Sequence, residues 1–253
     1  MVWTPTNELW KPRPINPEGT VWQPGEIVHS VDLDGGDGKF YAAGCRSRAR
    51  PVGGVLPVMG DKVPLVTEAN WYEMPNVRHA CRVGINQEST PACCLASLAN
   101  AFMIWMFLNG WPAKKLDWRR AWKLLSGGRG GVALDDAAEF VRETGYPVEG
   151  GGVVKLLEGW DITTLEGLAS ALFNGCICTF GHDVHAECAS RLTTGQDRRG
   201  RKIWMLDTRN SWGEGWGDNG WHLFPLSDVE ISTYGVIGVR ELAFDPAAVY
   251  PDV

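Results

Sequence analysis

Residues 209–221 read RNSWGEGWGDNGW, a stretch with three tryptophans and four glycines in thirteen positions. Tryptophan has a large apolar surface that favours burial, whereas glycine loses more conformational freedom on folding than any other residue. The composition therefore predicts a tightly turning backbone that carries flat apolar side chains. These side chains are expected to cover a feature that another part of the chain supplies.

The chain as a whole has the composition of a globular protein. It has 253 residues, 44% of them hydrophobic, and a formal net charge of -6. A chain of this length can bury a full core, either as one large domain or as a domain with an extension. The acidic balance argues against nucleic acid as a partner. The longest nearly apolar run, residues 93–108, is shorter than the roughly 20 residues that span a bilayer, so we expect a buried helix and no membrane partner.

The cysteines indicate a reducing environment. Seven cysteines occur at irregular spacing, which is not typical of a disulfide framework. We therefore expect a cytoplasmic or other reducing intracellular setting. The first residues lack a basic start followed by an apolar core, so no secretory signal is predicted. The seven positions are Cys45, Cys81, Cys93, Cys94, Cys176, Cys178 and Cys188.

The composition of the chain changes near residue 64. Residues 1–64 are rich in proline and glycine, which predicts an extended N-terminal arm with a few strands and turns. Trp3, Trp10 and Trp22 indicate that parts of this arm pack on something, so it is a candidate docking segment. Residues 65–253 are predicted to form a compact domain.

Helical patterns come first in this domain. The four segments are CCLASLANAFMIWMFLNG, LDWRRAWKLLSG, LDDAAEFVRETG and TTLEGLASALFNG. The first is apolar nearly all round and should be buried on all sides. Asp117 is placed to cap the second and Gly127 to end it. In the fourth, Thr163 and Glu166 have the spacing of a capping box.

Strand patterns follow the helices. GCICTF, HAECASRL and RKIWMLDTRN are short runs of β-type composition, and TTGQDRRG between the last two is typical of a hairpin loop. Helices followed by antiparallel strands predict an α+β fold with two lobes.

One cysteine lies where a nucleophile could be activated. A cysteine nucleophile needs a helix N-terminus or a cation to hold the thiolate, a nearby histidine, and donors for an oxyanion. In NQESTPACCLAS, residues 86–97, the apolar helix begins at Cys93 and Cys94. A thiolate there would lie at the positive end of the helix dipole. By itself, a cysteine at a helix start is more often a small core residue.

The segment NQESTPACCLAS resembles the one around the nucleophile of papain-like cysteine peptidases, and residues 210–221 resemble that family's NSWG segment. The resemblance implies a two-lobe papain-like fold, a polypeptide substrate, and hydrolysis of peptide or isopeptide bonds through an acyl-enzyme without a cofactor. The family's glutamine precedes its nucleophile by six residues, as Gln87 precedes Cys93. The resemblance therefore implies Cys93 as the nucleophile, with the Gln87 amide and the Cys93 N–H forming the oxyanion hole.

The resemblance also implies the rest of the catalytic group. Asn210 would orient the catalytic histidine, and Trp212 would shield their hydrogen bond from water. The family order is Cys, His, Asn, with an alanine commonly after the histidine. His185, in VHAEC, fits this pattern best as base and acid, and His182 is the rival.

The substrate side of the cleft has a weaker signal. Gly130 and Gly131 resemble a glycine pair whose second member pairs with the substrate backbone, although glycine pairs are also common in ordinary turns. With Trp212, they are the candidate substrate-binding residues. Two positions depart from the family pattern: Cys94 stands where a tryptophan is usual, and Thr90 where a disulfide-forming cysteine is usual.

Two other functions fit the same sequence. One is a zinc site, because five potential ligands fall within thirteen positions, although the spacing lacks paired CxxC knuckles. These residues are Cys176, Cys178, His182, His185 and Cys188. The other is a papain-like domain that acts mainly as a structural or docking component of a larger particle, anchored by residues 1–64. A peptidase and a particle component are not exclusive.

Overall fold

The computed structural model describes residues 45–48, 54, 56–59, 74, 77–78, 81, 84–112, 114–197 and 199–251. The tryptophans of the predicted arm lie outside these residues. The division of the chain at residue 64 stays a prediction.

The described residues form five α-helices and one short 3-10 helix. Their bounds are α1 (Cys93–Leu108), α2 (Trp118–Ser126), α3 (Leu134–Glu143), α4 (Leu165–Phe173), the 3-10 helix (Leu226–Asp228) and α5 (Ile231–Tyr234). Helix α1 is buried along nearly its whole length, as predicted. Helix α2 begins at the Asp117 cap, which accepts a hydrogen bond from the Arg120 amide, and ends at Gly127 in a left-handed conformation. No helix in the described part of the chain is long and apolar enough to span a membrane.

The predicted start of α4 is wrong by one residue. Thr164 is the N-cap, and its Oγ1 accepts a hydrogen bond from the Gly167 amide at 2.9 Å. The preceding strand runs up to Ile162, which leaves Thr163 in the connection between strand and helix. Glu166 then lies one position too early in the helix for the capping-box pair that the sequence predicts with Thr163.

The described residues form nine β-strands. Their bounds are β1 (Cys45–Arg46), β2 (Val132–Ala133), β3 (Tyr146–Pro147), β4 (Val153–Ile162), β5 (Ile177–His182), β6 (His185–Gln196), β7 (Lys202–Arg209), β8 (Trp221–Pro225) and β9 (Val236–Asp245). Seven of them form one sheet in the order β3-β4-β9-β5-β6-β7-β8, in which every pair is antiparallel. Strands β1 and β2 form a separate parallel pair.

The predicted strands correspond to β5, β6 and β7. The hairpin between β6 and β7 is present, but β6 continues through Gln196, so its loop is shorter than the predicted segment TTGQDRRG. Strand β4 was not predicted, and it precedes α4 in the chain. It pairs with β9, which is remote in sequence, so local composition gives no signal for this pairing.

Two apolar cores pack on the sheet and correspond to the two lobes. The first surrounds α1 and includes Phe102 and Tyr146. The second lies around α4 and includes Leu168 and Phe180. The N-terminus of α1 meets the sheet where β6 begins, and this junction contains the candidate site. The architecture is α+β with two lobes, as predicted.

Short pieces from before residue 65 pack on the domain. The Met59 amide donates to the Asp161 carbonyl, and the Asp161 amide donates to the Pro57 carbonyl, each at 2.9 Å. The Arg48 guanidinium contacts the Asp161 carboxylate at 2.7 Å, and both side chains are largely buried. Arg48 and residues 57–59 are therefore attached to β4.

Candidate active site

Cys93 is the first residue of α1 and is fully buried. The helix begins without a side-chain cap, so its N-terminal amides and the positive end of its dipole lie next to the thiol. Burial alone raises the pKa of Cys93, but hydrogen bonds with Cys45, Cys94 and His185, together with the charge of His185, outweigh it. The pKa of Cys93 therefore lies well below its usual value. The environment favours a thiolate.

His185 begins β6, directly after a two-residue turn from β5. Asp183 and Val184 have φ angles of 39° and 61°, the left-handed values that a twisted two-residue hairpin requires. This conformation is unfavourable for a β-branched residue such as valine. Two hydrogen bonds of 3.0 Å hold the turn, from the Asp183 amide to Glu230 and from the Val184 amide to the Tyr234 hydroxyl. The turn fixes the position of the His185 backbone, from which the imidazole extends.

The imidazole of His185 lies between Asn210 and Cys93. Its Nε2 is 3.0 Å from Asn210 Oδ1, and its Nδ1 is buried without a hydrogen bond of ordinary geometry. Burial lowers the pKa of His185, but the hydrogen bond and charge of Cys93 raise it more, and Glu187 and Asn210 add to the increase. The pKa of His185 is therefore raised. The opposite shifts of the two groups favour a thiolate–imidazolium pair.

Asn210 follows the last residue of β7, and both its backbone and its side chain are hydrogen-bonded. Its amide donates to the Gly220 carbonyl at 2.9 Å, and its carbonyl accepts from Asn100 of α1 at 3.3 Å. Its side-chain Oδ1 also accepts from the Ser211 amide at 2.6 Å. The side-chain Nδ2 donates to Glu187 at 2.8 Å. Both ends of the amide thus have partners that fix its orientation.

Trp212 covers one face of the His185 imidazole. Its ring stacks on the His185 imidazole with a centroid distance of 4.6 Å and an interplanar angle of 28°. Trp216 packs edge-on against Trp212 at 5.3 Å. Gly217 (φ 56°) permits the turn, because a Cβ there would lie 2.6 Å from a backbone oxygen. The apolar cover that residues 209–221 predict lies over the His185 imidazole.

Gln87 lies beside this group and is fully buried. Its Nε2 donates to the Thr90 carbonyl at 2.9 Å, and its Oε1 accepts a short hydrogen bond from Ser211. Its backbone amide donates to the Ser211 carbonyl at 2.7 Å. The residue after Asn210 therefore orients the Gln87 side chain in the segment that leads to Cys93. The oxyanion role of Gln87 stays a prediction.

The sequence motifs do not reveal a buried carboxylate at this site. Glu187 is 2% exposed and lies two residues after His185 on β6, where alternation puts both side chains on one face. Its Oε1 accepts from Asn210, and its Oε2 is in short contact with His222 Nε2. His182 Nε2 lies 3.4 Å from Oε1. The i, i+2 spacing from His185 is the one sequence signal that could have identified Glu187.

His182, the rival histidine, lies beside His185 and also approaches Glu187. Its ring packs against Phe224 at 4.5 Å and Phe180 at 5.9 Å. Its Nε2 faces Glu187, and its ring meets that of His185 edge-on at 5.8 Å. The side chain that interacts with Cys93 is that of His185.

The glycine pair lies next to β2 and faces a segment of the chain itself. Strand β1 pairs in parallel with β2, directly after Gly131, with Cys45 opposite Val132. A Cβ on Gly130 would lie 2.9 Å from the Arg46 guanidinium. The backbone beside Gly130 and Gly131 is therefore occupied by β1. Their role in substrate binding stays a prediction.

Residues 45–48 connect the two sides of the site. The Cys45 amide donates to the Val184 carbonyl at 2.8 Å, one residue before His185. The Cys45 thiol is 3% exposed and is hydrogen-bonded to Cys93 and Cys94. Cys94 also donates to the Val132 carbonyl at 3.2 Å. Cys94 stands where the family usually has a tryptophan. Its thiol therefore packs towards β2 and β1.

The cysteines of the possible zinc site lie in the sheet. Cys176 and Cys178 are buried, and burial raises the pKa of Cys176 to about 12. Burial likewise raises the pKa of Cys178 and of Cys188. Among the residues that the structure describes, no three His, Cys, Asp or Glu side chains are arranged to hold a metal ion.

Comparisons with known proteins identify the fold. No protein-family model and no curated protein sequence matches the chain. Among solved structures, procathepsin L2 proteinase from the Tenebrio molitor larval midgut is similar with a TM-score of 0.57, 16% identity, and coverage of 84% of this chain and 80% of that one. The proform of the ragweed pollen allergen Amb a 11, a cysteine protease, is similar with a TM-score of 0.53, 14% identity, and coverage of 77% and 71%. The chain therefore has the fold of papain-like cysteine proteases.

Proposed function

We propose that the chain is a cysteine peptidase in which Cys93 is the nucleophile, His185 the base and acid, and Asn210 the residue that orients the imidazole. Support comes from the convergence of these side chains from the start of α1, the start of β6 and the end of β7. The lowered pKa of Cys93 and the raised pKa of His185 are the shifts that an activated thiolate requires.

The reaction follows from this arrangement. Cys93 Sγ attacks the carbonyl carbon of a peptide or isopeptide bond, and the carbonyl oxygen takes up the negative charge. His185 gives its proton to the leaving nitrogen as the C–N bond breaks, which leaves a thioester on Cys93. Water then attacks the thioester and transfers a proton to His185. Cleavage of the C–S bond releases the acid and restores the thiolate.

The developing oxyanion needs donors that are already in place. In the proposed site these are Gln87 Nε2 and the Cys93 amide at the N-terminus of α1. The bonds from Ser211 and to Thr90 orient the Gln87 side chain before substrate binds. Fixed donors in a buried site stabilise charge more than mobile water does.

Access to Cys93 requires movement of residues 45–48, because the thiol is fully buried beneath Cys45. In this proposal the described arrangement is a latent form of the peptidase. A polypeptide substrate would replace the pairing between β1 and β2. The other proposed function, a docking component of a larger assembly, depends on residues 1–64 and stays a prediction.

Hydrolysis of a labelled unfolded protein by purified full-length chain tests the proposal. Cys93→Ala should abolish turnover while the protein remains folded, because a small buried residue replaces another. Cys178→Ala is the matched control, since it removes an equally buried thiol from the second core and should leave turnover near wild type. Unchanged hydrolysis by Cys93→Ala would disprove the assignment.

A further inference from the structure

Glu187 links Asn210 to two further histidines inside the protein. Its carboxylate accepts from Asn210 Nδ2 at 2.8 Å and is in short contact with His222 Nε2. His182 Nε2 is 3.4 Å away. All of these groups are largely buried, so the carboxylate lies in a low-dielectric environment in which hydrogen bonds to it are strong.

An ionised carboxylate settles which way the Asn210 amide points. The oxygen and nitrogen of an asparagine amide are interchangeable in shape, but a carboxylate only accepts hydrogen bonds. Nδ2 must therefore face Glu187, and Oδ1 must face His185. Burial raises the pKa of Glu187, but the charge of His222 and the hydrogen bonds of His182 and His222 outweigh it and hold that pKa well below its usual range.

We propose that Glu187 is a positioning residue that acts through Asn210, by fixing the amide so that its oxygen is directed at the imidazole of His185. His222 holds the carboxylate from β8. This inference deepens the proposed peptidase function and rests on it. It adds Glu187, as a positioning residue, to the proposed catalytic group of Cys93, His185 and Asn210.

Glu187 also acts on His185 through its charge. Oε1 lies 4.0 Å from His185 Nε2, and a negative charge at this distance stabilises the imidazolium. The titratable groups that face the carboxylate are His182 from β5, His185 from β6 and His222 from β8, and its charge also acts on Cys188, the next residue of β6. Loss of the negative charge should therefore make the imidazolium lose its proton at lower pH.

A double-mutant cycle on kcat tests the inference. Glu187→Ala should lower kcat by about 10- to 100-fold with little change in KM, because it affects the orientation of the base and not substrate binding. If Glu187 acts mainly through Asn210, the loss in the double variant with Asn210→Ala should be clearly smaller than the product of the two single losses. Fully multiplicative losses would overturn the proposal. Glu158→Gln, an exposed carboxylate on β4, is the control and should match wild type.

The pH dependence of Cys93 alkylation by iodoacetamide gives a readout that needs no peptidase activity. Glu187→Gln keeps the size of the side chain and an oxygen for Asn210 but removes the charge. The upper inflection of the rate profile, where His185 loses its proton, should therefore move to lower pH in this variant. If the wild type alkylates at neutral pH but cleaves no polypeptide, the peptidase function fails while the role of Glu187 stands. An unchanged profile together with an unchanged kcat in Glu187→Gln would overturn the inference.

A different observation supports a second inference, which does not depend on peptidase activity. Cys45 is bound to the sheet through Val184 and to β2 through Val132, so that its thiol is held against Cys93. A Cβ on Gly181 would lie 3.1 Å from Cys45 Sγ, which shows how closely β5 confines this thiol. The nucleophile thus has a second thiol packed on it in the latent form.

The geometry points to a reversible disulfide between Cys45 and Cys93 as a redox block of the nucleophile. A peroxide supplies the oxidant. The Cys93 thiolate attacks the peroxide, which yields a sulfenic acid and hydroxide, and the Cys45 thiol then attacks the Cys93 sulfur and releases water. With hydrogen peroxide, the two thiols lose two electrons and two protons, and the peroxide becomes two waters. A dithiol reductant restores both thiols.

Peptide mapping without reduction tests this second inference. After treatment of the full chain with hydrogen peroxide, a peptide linked through Cys45 and Cys93 should appear, and it should disappear on addition of dithiothreitol. In Cys45→Ser, Cys93 should instead accumulate as sulfinic or sulfonic acid, which dithiothreitol does not reverse. A link between Cys45 and Cys94, or equal reversibility in Cys45→Ser, would overturn it.

Discussion

The two histidines beside the site begin and end the same tight turn, and their partners differ. His185 lies between Cys93 and Asn210, whereas His182 packs on Phe224 and faces Glu187. In the proposed peptidase, His185 is therefore the histidine that exchanges a proton with the thiol. The other contributes to the environment of the carboxylate.

Replacement of each histidine separates their roles at the residue scale. His185→Ala should remove nearly all turnover, because the thiolate loses its imidazolium and the leaving nitrogen loses its acid. His182→Ala should keep measurable turnover, with a loss of about 10-fold or less, since it acts only on Glu187. Steady-state rates on one fluorogenic substrate compare the two. Greater residual activity in His185→Ala than in His182→Ala would reverse the assignment.

At the same scale, motif spacing predicts part of the site. Cys93 and Asn210 follow from the two segments that resemble a known family, His185 follows from the family order and the alanine after it, and the structure brings the three together. The place of Glu187 in the site could not be predicted in this way, because a single glutamate on a strand is usually exposed to solvent. Its role depends on His222 from β8, a contact that sequence distance hides.

At the scale of elements, Arg48, which lies two residues after β1, holds residues 45–48 over Cys93. Arg48 is attached twice, through its guanidinium to Asp161 at 2.7 Å and through its amide to the Thr233 carbonyl at 2.9 Å. Removing one partner of a buried ion pair is strongly destabilising. Loss of the Arg48 guanidinium should therefore weaken the attachment of residues 45–48 to β4. Substitution of Arg48 should therefore make it easier for residues 45–48 to move away from Cys93.

Arg48→Ala should accelerate alkylation of Cys93 by about 10-fold, which corresponds to about 1.4 kcal/mol in the opening of residues 45–48. Timed iodoacetamide labelling with mass spectrometry measures the rate. Arg46→Ala is the matched control, because Arg46 is exposed and precedes Arg48 by two residues, and it should change the rate far less. Equal rates in wild type and Arg48→Ala would show that this contact does not keep the segment closed.

The start of α4 shows how closely caps can be predicted from sequence. Two threonines, Thr163 and Thr164, precede the helix, and local spacing favoured the first because of Glu166. The strand before the helix decides between them, since β4 pairs with β9 up to Ile162. The local sequence predicts that the helix has a cap. The pairing of β4 with β9 decides which residue is the cap.

A pair of alanine substitutions checks this cap. Thr164→Ala should lower the free energy of unfolding by about 1 kcal/mol, because the Gly167 amide loses its acceptor. Thr163→Ala should cost less than about 0.5 kcal/mol, as is usual for a residue outside such features. Urea unfolding of both variants gives the comparison, and a larger loss for Thr163→Ala would contradict the assigned cap.

At the scale of the whole molecule, the site forms because two lobes meet at the N-terminus of α1. The α+β class and the helical and strand-rich parts could be predicted from composition and periodicity. The cover of Cys93 by Cys45 could not, since it joins residues that lie far apart in the chain and leaves no local pattern. The same contact makes the described structure a closed form of the proposed peptidase.

Labelling with a peptidyl vinyl sulfone, followed by mapping of the modified residue, tests the central claim most directly. The reagent forms a stable thioether only with an activated thiolate that a polypeptide-like ligand can reach. The account predicts an adduct on Cys93, faster in Arg48→Ala than in wild type and lost in Cys93→Ala. Adducts confined to Cys94 or another cysteine, or no adduct on Cys93 even in Arg48→Ala, would contradict it.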